Sequence, residues 1–216
     1  MSVLPIAAAL QLAAACAPAV HPDTWLSVVH NESRFEPLAI GDNTGRIAYH
    51  PSSLSDAIAT AARLIAAGHS LDLGIAQINS AAGHLQRRGL PLSAAFDPCT
   101  GFRVGGDVLA DCYRRTAGPD EQARLMRSIG CYNTGSTERG AAYVVKVQAS
   151  AAYVVPAIRL AGTAAPQSAQ AIVPVPKALR RMLAMEDGLH GSAPASAAQP
   201  GGEGASQQNT TRKDVE

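Results

Sequence analysis

Apolar residues recur at intervals of three and four along residues 22–160, in blocks separated by glycine, proline and asparagine, the pattern of amphipathic helices joined by short turns. Pro22 suits a first helical turn, where its missing N–H costs nothing. Trp25, Val28 or Val29, and position 32 then fall on one face. Pro37 disfavours helical backbone at Glu36, so this helix is predicted to end near Ser33 to Phe35. Gly41-Asp42-Asn43-Thr44-Gly45 is turn chemistry. A second helix is predicted over Ser55–Ala67, with Ser53 and Asp56 in capping-box spacing and Gly68 placed to stop it. Ser80–Arg88 reads as a short helix ended by Gly89. Thr100–Thr116 reads as a helix with Val104, Val108 and Cys112 on one stripe, and Pro119–Gly130 as another. After the turn-rich Asn133–Ser136, a long helix over Ala141–Leu160 carries Tyr143, Val144, Val147, Ala151, Val154 and Val155 at helical spacing, with Pro156 ending or kinking it. Leu71–Asn79 is a short apolar–polar stretch with no assignable period.

Beyond Gly162 the chain turns to Ala, Pro, Ser, Gln and Gly, and only Lys177–Leu189 offers an amphipathic turn or two. The layout is one domain over residues 1–161 and a low-complexity, largely disordered tail over 162–216, too poor in apolar residues to offset its ordering entropy. Apolar residues are 47% of the 216, aromatics only 4%. So much alanine favours closely packed helices, and the fold class expected is all-α, α+β at most. A net charge of +1 with scattered Lys and Arg lacks the clustered footprint of nucleic-acid binding. The run Leu4–Ala15 is too short to span a bilayer. It is read either as a signal segment, with small residues at Ala13-Ala14-Ala15 but no basic residue before it, or as the domain's first helix. Four cysteines, Cys16, Cys99, Cys112 and Cys131, lack zinc spacing. They fit two disulfides or four reduced core thiols.

Glu32 is the first candidate for chemistry. A carboxylate completing an apolar helical stripe is anomalous. Beside an apolar wall it loses solvation, and its pKa rises toward that of a general acid at neutral pH. The negative end of the helix dipole pushes the same way. The plain alternative is a Glu emerging into solvent as the helix ends. Gln77 and Asn79 stand two apart, so in extended backbone both amides face one way. Amides suit sugar hydroxyls and N-acetyl groups. Tyr132 and Asn133 add an aromatic ring with a polar handle and another amide. Alone, each of these is equally a loop cap or a core residue. Asp42 and Asp72 are the candidates for a second acid; Asp42 sits in a turn, where Asp commonly serves the backbone. The histidines are scattered, so no metal site is expected, and no nucleophile elbow or phosphate loop is present.

In order, three blocks are more specific: Glu32-Ser33-Arg34-Phe35-Glu36-Pro37, Gly74-Ile75-Ala76-Gln77-Ile78-Asn79, and Tyr132-Asn133-Thr134-Gly135. With them the chain resembles the lysozyme-like soluble lytic transglycosylases, in the branch associated with type IV secretion and conjugation machines. Cys16-Ala17-Pro18 and Ala95-Phe96-Asp97-Pro98-Cys99 are also similar to that branch, and the resemblance covers roughly residues 16–155. Thr100-Gly101-Phe102-Arg103 departs from it at a helix entry. The resemblance implies a goose-lysozyme-like helical domain in the periplasm or cell envelope, acting on peptidoglycan glycan strands without a cofactor or metal. A monomer is expected, with secretion-machine components as further partners. The implied reaction cleaves the bond between N-acetylmuramic acid and N-acetylglucosamine, leaving a 1,6-anhydromuramoyl end, with Glu32 as the sole catalytic carboxylate. Ser33, Gln77, Asn79, Tyr132, Asn133 and Tyr143 are the implied substrate-binding residues. The pairing taken for the cysteines is Cys112 with Cys131 and Cys16 with Cys99, the two other pairings remaining compatible with the sequence. The rival readings are a hydrolytic muramidase using the same cleft and a weakly active peptidoglycan-binding scaffold.

Overall fold

The computed structural model describes residues 3–163; the expected tail, Lys177–Leu189 included, lies outside them. Helix α1 (Ile6–Cys16) is made from the N-terminal apolar run. It buries Ala9 and Ala13 against α2 (Pro22–Ser33), α4 (Pro98–Arg115) and α6 (Ala141–Thr163). Small side chains on α1 let those helices approach it closely. Trp25, Leu26, Val28 and Val29 of α2 are fully buried, and α6 lies along this helix with Tyr143, Val147, Val154 and Ile158 turned inward. By length and composition α6 could cross a membrane. In this fold its inward stripe belongs to the core. Pro156 lies within α6 and does not end it, and the helix runs past residue 161 to Thr163.

Helix α3 (Leu54–Ala66) starts where the capping residues place it: Ser53 Oγ accepts the Asp56 N–H at 3.2 Å. Helix α4 begins earlier than expected, because Asp97 caps it by accepting the Thr100 N–H at 2.7 Å and Pro98 fits its first turn. Its buried stripe is Gly101, Phe102, Val104, Gly105, Gly106, Leu109 and Cys112, with Val108 only partly covered. Helix α5 (Glu121–Thr134) is capped by Asp120, not opened by Pro119, and runs past the expected Gly130 to Thr134, so Asn133 and Thr134 are helical rather than part of a turn. Gly135, at φ 70°, ends it. The expected helix over Ser80–Arg88 is instead a set of turns closing in a 3-10 turn at Gln86–Arg88.

The stretch left unassigned in the sequence supplies half of a small antiparallel sheet. Its strands are β1 (Ile40–Asp42), β2 (Ile47–Tyr49), β3 (Leu71–Leu73) and β4 (Ile78–Asn79), in the order β2-β1-β3-β4. The fold is therefore mainly helical with a minor sheet. Two disulfides cross-link the helices: Cys16–Cys99 joins α1 to α4, and Cys112–Cys131 joins α4 to α5.

Candidate active site

A cleft of about 990 Å3 runs between the sheet and α4–α5, with Glu32 in its wall. Glu32 occupies the last turn of α2. Arg34 and Phe35 follow in left-handed backbone (φ 55° and 64°), which breaks the chain sharply away from the helix. Phe35 is buried, and Ser33 Oγ donates to the Ile75 carbonyl at 2.7 Å, so this corner is fastened to the β3–β4 connection. Ser33 Oγ is thereby turned to the backbone of that connection, beside the carboxylate and outside the residues that line the cleft.

Glu32 itself is half-buried. Burial pushes its carboxyl from the ordinary 4.5 up to about 7; the Tyr143 hydroxyl, donating to Glu32 Oε1, pulls it down, and the Asp72 charge pushes it up. Tyr143, a helix residue that resembles a core tyrosine in sequence, thus reaches the carboxylate directly. Burial, with Glu32 nearby, holds both the Tyr143 and Tyr132 hydroxyls far above the ordinary tyrosine range, so both remain proton donors.

Tyr132 stands edge-on to Trp25 at 5.9 Å and donates its hydroxyl to the Ala76 carbonyl at 2.7 Å. A Cβ on Gly105 would lie 2.6 Å from the Trp25 ring and 2.9 Å from the Tyr132 hydroxyl, so glycine is what lets α4 close over this pair. Asn133, one residue on, is exposed along the cleft wall.

Gln77 and Asn79 both line the cleft, but not as two residues of one strand. Gln77 has φ 47° and closes the turn from Gly74, its amide donating to Gly74 O (2.8 Å) and Ala39 O (3.2 Å). Gly74, at φ 70°, is packed so tightly that a Cβ would sit 1.9 Å from Ala95 O. The i, i+2 argument therefore fails at Gln77, because a left-handed turn residue breaks the alternation on which it rests. Asn79 Oδ1 accepts the Ala81 and Ala82 N–H groups at 3.0 Å, while its Nδ2 donates to Asp72 Oδ1 at 2.8 Å.

Of the two candidate second acids, Asp42 is buried and committed: its Oδ1 accepts the Thr44 and Gly45 N–H groups and its Oδ2 meets His69 Nδ1 at 2.7 Å. Asp72 is in the cleft, and the amide of Asn43, a residue that sequence reading left as turn, donates to its Oδ2 at 2.9 Å. The Leu71-Asp72-Leu73 alternation, buried on either side of the Asp, was the available signal. Glu36, in the same block as Glu32, is buried on a hydrogen bond with His50 (2.7 Å). Among the described residues no His/Cys/Asp/Glu group is arranged to hold a metal.

The profile of the transglycosylase SLT domain matches residues 9–150. The type IV secretion system protein virB1 of Brucella abortus (strain 9-941) is 42% identical over 152 residues, covering 66% of this chain and 63% of that protein. The protein virB1 of Agrobacterium fabrum is 39% identical over 144 residues (65% and 58%), and that of Rhizobium radiobacter 38% over 146 (66% and 60%). The match thus spans about three-fifths of these relatives' length. No solved structure matches the chain significantly. Because the profile runs from α1 through much of α6, over the helices, the sheet and Glu32 alike, the chain belongs to the transglycosylase SLT domain family.

Proposed function

We propose that the chain is a peptidoglycan lytic transglycosylase. The observation that carries this reading is the half-buried Glu32 carboxyl, pushed up to about 7 in the wall of a cleft lined by Asp72, Gln77, Asn79, Tyr132 and Asn133. Such a group holds its proton near neutrality and can also act as a base once it has lost it. Glu32 gives that proton to the bridging oxygen between N-acetylmuramic acid and N-acetylglucosamine. The bond to the muramoyl C1 breaks, its electron pair going to that oxygen. The muramoyl 6-hydroxyl oxygen then bonds to C1, and its proton passes to Glu32, leaving an anhydromuramoyl end and the acid restored. Gln77, Asn79, Tyr132 and Asn133 line the glycan path, and Tyr143 fixes the carboxyl group of Glu32.

The relatives' name, type IV secretion system protein, supports a place beside such a machine in the cell envelope, opening the wall locally where the machine crosses it. The test is a digest of purified peptidoglycan by the full chain and by Glu32→Gln, with products identified by mass. Anhydromuramoyl ends from the unaltered chain alone are expected. Reducing muramic ends would make it a muramidase, and glycan binding with no cleavage in either would make it a scaffold.

A further inference from the structure

The cleft that holds Glu32 changes chemistry along its length. Around the acid its lining side chains are Asp72, Gln77, Asn79, Tyr132 and Asn133, with no cation among them. Along the second half of α4 the lining is rich in guanidinium groups. Gly105 of α4 lies against Tyr132, and Arg114 follows about 14 Å farther along the helix axis. Asp107, Asp111, Arg114 and Arg115 stand at i, i+4, i+7 and i+8, so they share one face of α4, and all four line the cleft. Arg87 and Arg88, from the turns after β4, line it too. The two arginine pairs are far apart in sequence, where they read as scattered charge, and the fold brings them to one cavity.

Their partners do not absorb them. Arg88 is taken up by Asp107 at 3.1 Å. Arg114 and Arg115 share the single carboxylate of Asp111, at 3.3 and 2.7 Å, and Arg115 also rests on the Cys112 and Cys131 sulfurs at 3.5 Å. Arg87 donates to the Ala82 carbonyl and meets His84, with no carboxylate among its partners. Burial, then the charges of Arg87 and Arg88, hold His84 below its ordinary value. Four arginines thus face two aspartates in this stretch. Exposed ion pairs contribute little to stability, so holding α4 together does not explain the excess of arginine.

We propose, resting on the transglycosylase reading, that this cationic stretch binds carboxylates of the stem peptides that hang from the muramoyl residues, so that the substrate is peptide-bearing rather than bare glycan. The sugar rings are uncharged and suit the amides around Glu32. The carboxylates lie on the peptides, and a guanidinium takes a carboxylate in two parallel hydrogen bonds. Both stretches belong to one continuous cavity, so a peptide can reach the arginines from a strand seated at Glu32. Arg87, which has no carboxylate partner, and Arg114, which has half of one, are the contact residues. Bare strands keep a carboxylate on each muramoyl lactyl group, the same chemistry at a shorter reach, and the experiment separates the two.

It measures the affinity of soluble glycan fragments for the full chain carrying Glu32→Gln, in which the acid is removed. The fragments are used with their stem peptides and after an amidase has stripped them. Expected is roughly tenfold tighter binding of the peptide-bearing fragment, the scale of two exposed ion pairs. This preference should fall toward equality as salt is raised and when Arg87→Gln and Arg114→Gln are added. Arg114→Gln alone keeps the test readable should loss of the Arg87 bond to the Ala82 carbonyl disturb the fold. The Arg114 side chain is 68% exposed and meets only Asp111 among the described residues, and its replacement should remove about threefold of the preference. A preference that survives both changes, or equal binding of the two fragments untouched by them, would overturn the proposal. Equal binding weakened by them would assign the stretch to the lactyl carboxylate and overturn the peptide reading. The cleavage test remains separate: an unaltered chain that releases no anhydromuramoyl ends, while the peptide preference and its dependence on arginine hold, would overturn the transglycosylase reading and leave the peptide site standing.

Discussion

Replacing Glu32 by Gln should stabilise the protein, and by an amount that depends on pH in a defined direction. In an unfolded chain the carboxyl has its ordinary value of 4.5; in the fold burial raises it to about 7. Between those values the native state holds a proton that the unfolded state releases, so stability is fully present below 4.5 and is lost as pH rises through about 7. At about 1.4 kcal/mol per pH unit of difference, the loss from this one group is about 3 kcal/mol. That is a large fraction of the roughly 5–15 kcal/mol by which a domain is stable. Glutamine keeps the carbonyl that accepts from Tyr143 and cannot ionise. Guanidinium unfolding of both proteins with disulfides intact, at about pH 4 and about pH 8, isolates the effect. Every other titrating group, and any fixed packing difference, cancels when the variant's advantage at the lower pH is subtracted from that at the higher. The expected difference is about 3 kcal/mol in favour of the variant. A difference within about 0.5 kcal/mol of zero, the scale of an ordinary surface substitution, would mean that Glu32 is solvated in the native state, and the desolvated-acid argument would be refuted.

Tyr143→Phe removes the hydrogen bond that pulls the Glu32 carboxyl down, so the alkaline limb of cleavage should move to higher pH, as read in a pH–rate profile. Gly105→Ala puts a methyl group 2.6 Å from the Trp25 ring and should cost about 1–3 kcal/mol in denaturant melts, with a changed near-UV signal from Trp25. Cys112→Ser with Cys131→Ser opens a cross-link spanning 19 positions and should cost about 3 kcal/mol, measured by thermal unfolding.

The helices were legible wherever period and cap agreed. Ser53, Asp97 and Asp120 each accept an N–H three residues on, and the helix they open begins beside them. Expectation and structure differ by a few residues at α4 and α5: Asp97 with Pro98 opens α4 two residues before the expected Thr100, and Asp120 caps α5, which was expected to open on Pro119. The 80s segment failed more completely: Ser80–Arg88 has helical composition, but Asn79 ties down the Ala81 and Ala82 amides and Arg87 donates to the Ala82 carbonyl, and these side-chain bonds compete with the helical ladder. The sheet was hidden because three-residue strands carry too little alternation to detect. At the site, Glu32 stood out because an acid on an apolar stripe is rare. Tyr143 lies 111 residues away, on a helix whose own period explains it as core, and only the packing of α6 along α2 brings its hydroxyl to the carboxylate. Asp72 is a candidate in the sequence, but its hydrogen bond from Asn43 follows from the β1–β3 register, which no local pattern displays.

The protonation of Glu32 is set by more than its place on α2. A helix C-terminus disfavours an anion, and the left-handed pair at Arg34 and Phe35, with Ser33 fastened to Ile75, prevents the last turn from fraying into solvent, where the carboxyl would regain its ordinary value. Tyr143 opposes that bias from α6, and Asp72 reinforces it from β3. The resulting cost falls on the native state as pH rises through about 7. Both disulfides lie in elements that do not carry the acid: one ties α1 to α4, the other α4 to α5. Each restricts the unfolded chain; Cys16–Cys99 does so away from the cleft, whereas Cys131 directly precedes Tyr132 in its wall. Stability can therefore be supplied by the cross-linked helices while the end of α2 keeps a group that would be more stable neutral, and opening Cys16–Cys99 by Cys16→Ser with Cys99→Ser should lower the melting point without moving the titration of Glu32.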